Sequence, residues 1–420
     1  MNARLAAAWA LRWALAVASA PLRALPRRRK VVMASREQSA VPEDFELLRA
    51  ALARLDPGLK VVVSARGEES GVLGRWRFAA ANAAQLWHAA TARVLVLDTY
   101  SPAASLVRHG PGLRVVQMWH ALGAFKRFGW SIVGVGPEGR DPALARATRM
   151  HAGYDVVVAS SERCRGPFAE AFGVDPAAIE VAALPRVDLI VDPAAVARDR
   201  ARLLERHPEL GRGGVLLYAP TFRRDGPGSV DVGELARGAR DRDLVLVYAP
   251  HPLELAGAAG SGAVSPAGRL AMDRAERAGA VVVRDFSTRE LLAVADAFAT
   301  DYSSSVFEAA LAGVPCYFLA PDAEAYRTAR GFYLDVPADL PGPLVDDAGA
   351  LLDAVASGLA GGRFGEAAGD HGPWSEAGER AREWAGRWVE VPEGSAATKC
   401  ADHLARIVLK QLGAACGGGG

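Results

Sequence analysis

The sequence predicts an α/β protein with two parallel-sheet domains, on three observations. From Val31 to Leu319, short apolar runs alternate with segments of helical apolar spacing, the pattern of repeated βαβ units. The chain has 420 residues, half of them apolar, enough to fill two α/β cores. A proline-bounded stretch, Leu184-Pro185-Arg186-Val187-Asp188 up to Asp192-Pro193, separates two such series and reads as a hinge.

The elements follow in order. Val31–Met33 reads as a buried strand, Glu43–Leu55 as a helix with Phe45, Leu47, Leu48, Leu52 and Leu55 on its apolar side, and Lys60–Ser64 as the next strand. A helix over Trp76–His88 leads to strands Arg93–Leu97 and Arg114–Met118. Strand Asp155–Ala159 ends in Ser160-Ser161, and Ser161 is placed to cap a helix over Glu162–Phe172. After the hinge come an arginine-rich helix, Ala194–His207, and strands Gly214–Tyr218, Leu244–Tyr248, Val281–Val283, Ala297–Thr300 and Cys316–Leu319. Past Leu319 the pattern thins to helices at Leu351–Leu359 and Thr398–Leu412 and a disordered tail from Cys416. The expected segments are 1–29, 30–190, 191–395 and 396–420.

Charge and cysteine usage exclude several classes. With 49 basic and 48 acidic residues the net charge is +1, so no global excess points to nucleic acid. Cys164, Cys316, Cys400 and Cys416 form no C-x-x-C pair, which argues against a disulfide framework or zinc site and fits a reducing compartment. Residues 1–29 stand apart: they hold Trp9, Trp13 and six arginines but no acidic residue. Arg12 divides the apolar run, so no uncharged stretch has the roughly 20 residues of a spanning helix. Three readings stay open: a signal peptide with Ala18-Ser19-Ala20 as an A-x-A-like cleavage site, a helix resting on anionic lipid, and a disordered start.

Candidate site residues stand at strand ends, where open α/β sheets bind ligands. Thr300-Asp301-Tyr302-Ser303-Ser304-Ser305-Val306-Phe307-Glu308 reads as strand end, polar turn and helix start. Ser303 or Ser304 can cap the helix, whose free N–H groups and dipole favour a phosphate. Glu308 lies one turn beyond Ser304 on the same face. Trp119-His120 ends the strand Arg114–Met118, and an imidazole there suits proton abstraction from a hydroxyl. Lys126 and Arg127 follow, able to meet an anion. Arg223 and His251 each follow a strand of the second series, so both belong with Ser303–Ser305 on one sheet edge. Each has a plain competing reading: a capped helix, a histidine packed under tryptophan, solvated cations, ordinary surface loops.

The ordered set Gln117-Met118-Trp119-His120, Tyr218-Ala219-Pro220-Thr221-Phe222-Arg223, His251-Pro252, Thr300-Asp301-Tyr302-Ser303-Ser304, Gly313-Val314-Pro315 and Arg330-Gly331-Phe332-Tyr333 resembles the CDP-glycerol glycerophosphotransferase family, the teichoic acid primases and polymerases. The resemblance implies a GT-B fold, two Rossmann-like domains with parallel sheets facing a cleft. It implies transfer of glycerol phosphate from CDP-glycerol to a hydroxyl of a lipid-linked (polyprenol-linked) acceptor with release of CMP, at the cytoplasmic face of the membrane as a peripheral enzyme. It makes His120 the base and gives Arg223 and His251 catalytic roles on the donor diphosphate. Thr221, Asp301, Ser303, Ser304, Ser305 and Glu308 become donor-binding residues, and Trp119, Lys126 and Arg127 acceptor-binding residues. Ala121-Leu122-Gly123 departs from the glycine and proline usual after Trp-His, which bears on acceptor identity. No cofactor and no carboxylate cluster for a metal is expected, and protein side chains supply the cations. A nucleotide-sugar glycosyltransferase of the same fold and a catalytically silent binding protein are the rival readings.

Overall fold

A computed structural model describes residues 3–36, 40–67, 71–136, 139–221, 230–251, 254, 266–360, 376–394 and 397–417. The chain divides into two compact units, one drawn from Met1–Asp188, Thr328–Gly331 and Glu390–Gly420, the other from Leu189–Arg327 and Phe332–Val389.

The first unit is built on a parallel sheet of β1 (Lys30–Ser35), β2 (Lys60–Ala65), β3 (Val94–Leu97), β4 (Arg114–Gln117), β5 (Val156–Ala159) and β6 (Ile179–Val181), in the order β2-β1-β3-β4-β5-β6. Val31, Val32 and Met33 pair with Val61–Val63 on one side and Val94–Val96 on the other. Central strands buried on both faces explain the unbroken valine runs. The helix Glu43–Leu55 buries Phe45, Leu48, Ala51 and Leu52, and carries Glu43, Asp44 and Glu46 in its first turn, where the dipole favours them. The last helix, Lys399–Gly417, packs against it. Asp188, buried and 212 positions upstream, caps that last helix by accepting the N–H groups of Cys400 and Ala401 at 2.9 Å each.

The second unit repeats the plan with β7 (Gly214–Tyr218), β8 (Leu244–Tyr248), β9 (Val281–Val282), β10 (Ala297–Thr300), β11 (Cys316–Leu319) and β12 (Leu344–Val345), in the parallel order β12-β11-β10-β7-β8-β9. On one face Leu216, Tyr218, Leu246 and Tyr248 meet Leu235 and Ala239 of helix Val232–Arg240, Met272 and Ala275 of helix Pro266–Arg277, and Leu351 and Val355 of helix Ala348–Ala360.

Several expected boundaries move. The helix after β2 runs over Gly71–Thr91, and the one expected over Glu162–Phe172 begins as a 3-10 turn, Glu162–Cys164, with no cap bond from Ser161. Strands β6 and β12, of three and two residues, are too short to show a period. Helix Glu376–Gly386 was unforeseen, and Trp384 stacks on Phe307 at 5.0 Å. Cys416 belongs to the last helix, not to a disordered tail.

Residues Ala3–Ser19 form a helix and Pro21–Ala24 a 3-10 turn. By length and composition Ala3–Ala24 is long and apolar enough to cross a membrane, Arg12 notwithstanding. It exposes Trp9, Leu11, Trp13 and Val17, and helix Gly71–Thr91 exposes Val72, Leu73, Trp76 and Trp87. Part of the basic charge at this end of the chain is used internally. Arg27 donates to the carbonyls of Pro111 (2.6 Å), Ala92 (2.6 Å), Gly110 (2.7 Å) and Ala89 (3.0 Å), Arg29 pairs with Asp56, and the buried Lys30 reaches Thr91 Oγ1 at 2.6 Å. One planar guanidinium thus ties the amino-terminal segment to two turns of the first unit. Arg27→Lys, which keeps the charge but loses the fork, is expected to lower unfolding free energy by about 2 kcal/mol, and Arg27→Ala by more. Urea unfolding checks this, and unchanged midpoints for both variants would contradict it.

Candidate active site

In the first unit, β3 and β4 end side by side, with Leu97 opposite Gln117. The buried Gln117 amide donates to Thr99 O at 3.1 Å and accepts the Trp119 N–H at 2.9 Å. That bond holds Trp119 at φ 57°, a left-handed conformation costing a bulky residue on the order of 1–3 kcal/mol. The indole is half-buried, stacked on Phe128 at 5.1 Å and edge-on to Phe172 at 5.3 Å. Gly129 is required beneath it: at φ +59° an added Cβ would lie 2.1 Å from Ala171 O. His151 belongs to this aromatic cluster, and burial, then the nearby Arg140, pushes its pKa down to about 3, so it stays neutral.

His120 follows with its side chain in solvent, its ring 4.1 Å from the Trp119 ring. Its Nδ1 lies 3.0 Å from Asp98 O. A carbonyl only accepts, so in the neutral ring this bond places the proton on Nδ1 and makes Nε2 the unprotonated nitrogen. The backbone is fixed as well. Arg186 Nη2 donates to His120 O at 2.7 Å, Arg186 is ion-paired with Asp44, and its N–H donates to Asp44 Oδ1 at 2.8 Å. Leu122, Ala124 and Phe125 then enter the core, which accounts for Ala121-Leu122-Gly123 as a buried loop. Lys126 is half-buried. Arg127 has its guanidinium 3.7 Å from Glu170, and its backbone joins Gly331 and Arg330 at 3.2 and 3.3 Å.

In the second unit β10, β7 and β8 are parallel neighbours, so the loops holding Thr221, His251 and Asp301–Ser305 leave one edge. Asp301 clasps them: its Oδ1 accepts the N–H groups of Thr221 (2.8 Å) and Tyr302 (2.6 Å), while Thr300 Oγ1 donates to Ala219 O at 2.7 Å. Tyr302 is buried, donates to Asp322 at 3.1 Å and stacks on Tyr326 at 4.2 Å. The helix Ser305–Leu311 has seven residues. Ser304 makes no cap bond, whereas Ser303 Oγ accepts from Ser305 N at 3.3 Å and from Ser305 Oγ at 2.8 Å. These serines and Glu308, one turn on, are half-buried. Arg223 lies outside the described residues.

Sequence reasoning missed Glu254. Its N–H donates to His251 O at 2.7 Å, and Tyr248 Oη donates to its carboxylate at 3.2 Å. Burial, then the charge of Asp301, raises its pKa above the usual carboxylate value, while the Tyr248 hydroxyl and the His251 backbone pull the other way. Its place three residues after His251 was the available signal. Gln117 and Arg186 were read as a motif member and a hinge residue, and Asp44 was not singled out, because nothing local reveals a long-range partner. Among the described residues no group of three or more His, Cys, Asp or Glu is placed to hold a metal ion.

Two parallel α/β sheets with polar side chains gathered at their carboxyl edges define a GT-B-like architecture. Among solved structures, the wall teichoic acid polymerase TagF matches with a TM-score of 0.66 at 18% identity, over 93% of this chain and 90% of that one. A putative UDP-N-acetylglucosamine 2-epimerase from Listeria monocytogenes matches with a TM-score of 0.53 at 16% identity, over 90% and 95%. A family model, CDP-Glycerol:Poly(glycerophosphate) glycerophosphotransferase, matches residues 18–366, and the chain belongs to this family. The teichoic acid ribitol-phosphate primase of Bacillus spizizenii is 30% identical over 334 residues, 78% of this chain and 82% of the relative. The glycerol-phosphate primase of the same organism is 28% identical over 63% of this chain and 65% of its own length. The chain is therefore an enzyme of the teichoic acid primase and polymerase family.

The Asp301 clasp has a measurable consequence. Asp301→Ala leaves two backbone donors without their acceptor and is expected to cost about 1–3 kcal/mol in urea unfolding. Asp301→Asn keeps an acceptor oxygen and should cost less. Equal stability of both variants and the parent chain would contradict the clasp.

Proposed function

We propose that this enzyme transfers glycerol phosphate from CDP-glycerol to a hydroxyl of a polyprenol-linked acceptor, releasing CMP, in teichoic-acid-like wall polymer synthesis. The observation that carries the reading is the His120–Asp98 hydrogen bond, which leaves Nε2 as a base on an exposed ring. His120 Nε2 takes the acceptor hydroxyl proton, and the oxygen attacks the phosphorus bearing glycerol. The bond from that phosphorus to the bridging oxygen breaks, and CMP leaves with the electron pair. Such a transfer asks the protein mainly for alignment and charge stabilisation. Arg223, His251, Thr221 and Ser303–Ser305 hold the diphosphate, with their loops ordered by Asp301. Glu308 faces the nucleoside or glycerol end, and Trp119, Lys126 and Arg127 serve the acceptor. Protein side chains supply the cations.

Ribitol phosphate is the second reading. Two ribitol-phosphate enzymes of Bacillus spizizenii match at 30% over 334 residues and 32% over 280, against 28% over 269 for the glycerol-phosphate primase. Support for a cytidine donor comes from the family, CDP-glycerol glycerophosphotransferases, and from a structure of a TagF variant with CDPG. The proposed location is peripheral, on the cytoplasmic face of the membrane, supported by the exposed Trp9, Trp13, Trp76 and Trp87.

The test is CMP release by the purified chain given CDP-glycerol, CDP-ribitol or UDP-sugars with a polyprenol-linked acceptor, before and after chelation. CMP from CDP-glycerol is expected, and His120→Ala should lower kcat by roughly 10²–10⁴ with its melting temperature kept. Release from CDP-ribitol alone selects the second reading, turnover of a UDP-sugar alone overturns both, and loss on chelation restored by Mg²⁺ overturns the purely side-chain account. Separately, Trp9→Glu with Trp13→Glu should move the protein off anionic vesicles while sparing turnover on a soluble acceptor. Undiminished vesicle binding would contradict the attachment.

A further inference from the structure

In the second unit the helices Val232–Arg240 and Pro266–Arg277 lie side by side on the sheet, and between them runs an open groove of about 350 Å³. Arg237 and Arg240 line it from one helix, Arg274 and Arg277 from the other, with Asp231 among the lining residues. Each pair is three residues apart, so both members share a helix face with a rise of about 4.5 Å between them. Among the described residues none of the four guanidiniums has a hydrogen-bond or ion-pair partner. Neighbouring arginines do find partners, Arg242 with Asp353 at 2.6 Å and Arg284 with Glu276 at 2.7 Å. Asp231 sets one negative charge against four guanidiniums, and its Oδ1 is the helix cap, accepting from Gly233 N at 2.8 Å and Glu234 N at 3.3 Å.

The helix dipole accounts for arginines in the last turn of either helix. It does not account for two such pairs turned toward one groove, where like charges repel unless an anion lies between them. Small residues leave the space open: an added Cβ on Gly233 would meet Asp231 Oδ1 at 3.1 Å and Arg274 O at 3.4 Å. The groove runs from Asp231 and Gly233 at the start of the first helix to Arg240 at its end, and none of its lining residues is Thr221, His251 or one of Ser303–Ser305.

We infer that this groove binds a linear phosphodiester chain, with the paired guanidinium forks gripping phosphate oxygens bidentately. Two rows of charge along a groove fit successive phosphates better than one isolated ion. The choice of chain, a polyol-phosphate oligomer of the kind such an enzyme extends, rests on the proposed function; the anion groove does not.

The experiment measures binding of a glycerol-phosphate oligomer to the full chain, with inorganic phosphate and phosphatidylglycerol vesicles as comparison arms. The double variants Arg237→Gln/Arg277→Gln and Arg240→Gln/Arg274→Gln should weaken oligomer binding at least about tenfold and flatten its salt dependence, as expected when counterion-releasing contacts are lost. CMP release on a soluble acceptor should be unchanged. Equal oligomer affinity in parent and variants overturns the inference. So does an effect confined to vesicles, which would make the groove a lipid-headgroup site, or oligomer affinity no greater than that for inorganic phosphate. Arginine-dependent oligomer binding in a protein that turns over no CDP-polyol would sink the proposed function and leave the groove standing.

Discussion

The chemistry available to the first unit depends on one hydrogen bond, from His120 Nδ1 to the Asp98 carbonyl. It exists because β3 and β4 pair in parallel, with Met118 N donating to Leu97 O at 2.7 Å, so that the residues after each strand emerge together. That pairing follows from the valine-rich cores of the two strands. Gln117 holds the left-handed Trp119, and Arg186 holds the His120 carbonyl. Gln117 is anchored on Thr99 O, 18 positions upstream, and Arg186 on Asp44, 142 positions upstream. A ring in solvent is thereby given one tautomer and one direction, at the cost of a strained backbone at its neighbour.

Much of this was legible beforehand, for physical reasons. Buried parallel strands must be apolar on both faces, so β1, β3, β5, β7 and β10 showed as short apolar runs, and the polar residues just past them marked the loop ends. The fold class and the GT-B-like architecture follow from that alternation together with the ordered motifs. Long-range side-chain contacts were not legible. The Arg186–Asp44 pair spans 142 positions and the Asp188 cap 212, and no local pattern encodes either. Arg27 read as one of six arginines in a segment whose role stayed open, yet it donates to five carbonyls. Only its partners, set by the fold, distinguish it from Arg12, which lies over Trp9.

The second unit separates charge by location. At its carboxyl edge Asp301 and Glu254 are buried or half-buried, and both make hydrogen bonds that order loops around Thr221 and His251. The serine turn differs from the simple capped helix read from sequence. Ser303 bonds back to Ser305, and Ser304 is left without a cap bond. On the outer flank the unit carries the arginine pairs of its two helices. Hydrogen-bonded loops at the strand ends and a guanidinium-lined groove between two helices are thus built into one small sheet domain.

The central claim is the protonation pattern of His120, and nitrogen-15 NMR of the labelled protein reads it directly. With the neutral ring assigned through a His120→Gln comparison, the account predicts a pyrrole-like shift at Nδ1 and a pyridine-like shift at Nε2. The reverse pattern, with the proton on Nε2, would contradict it by removing the base from the exposed side of the ring.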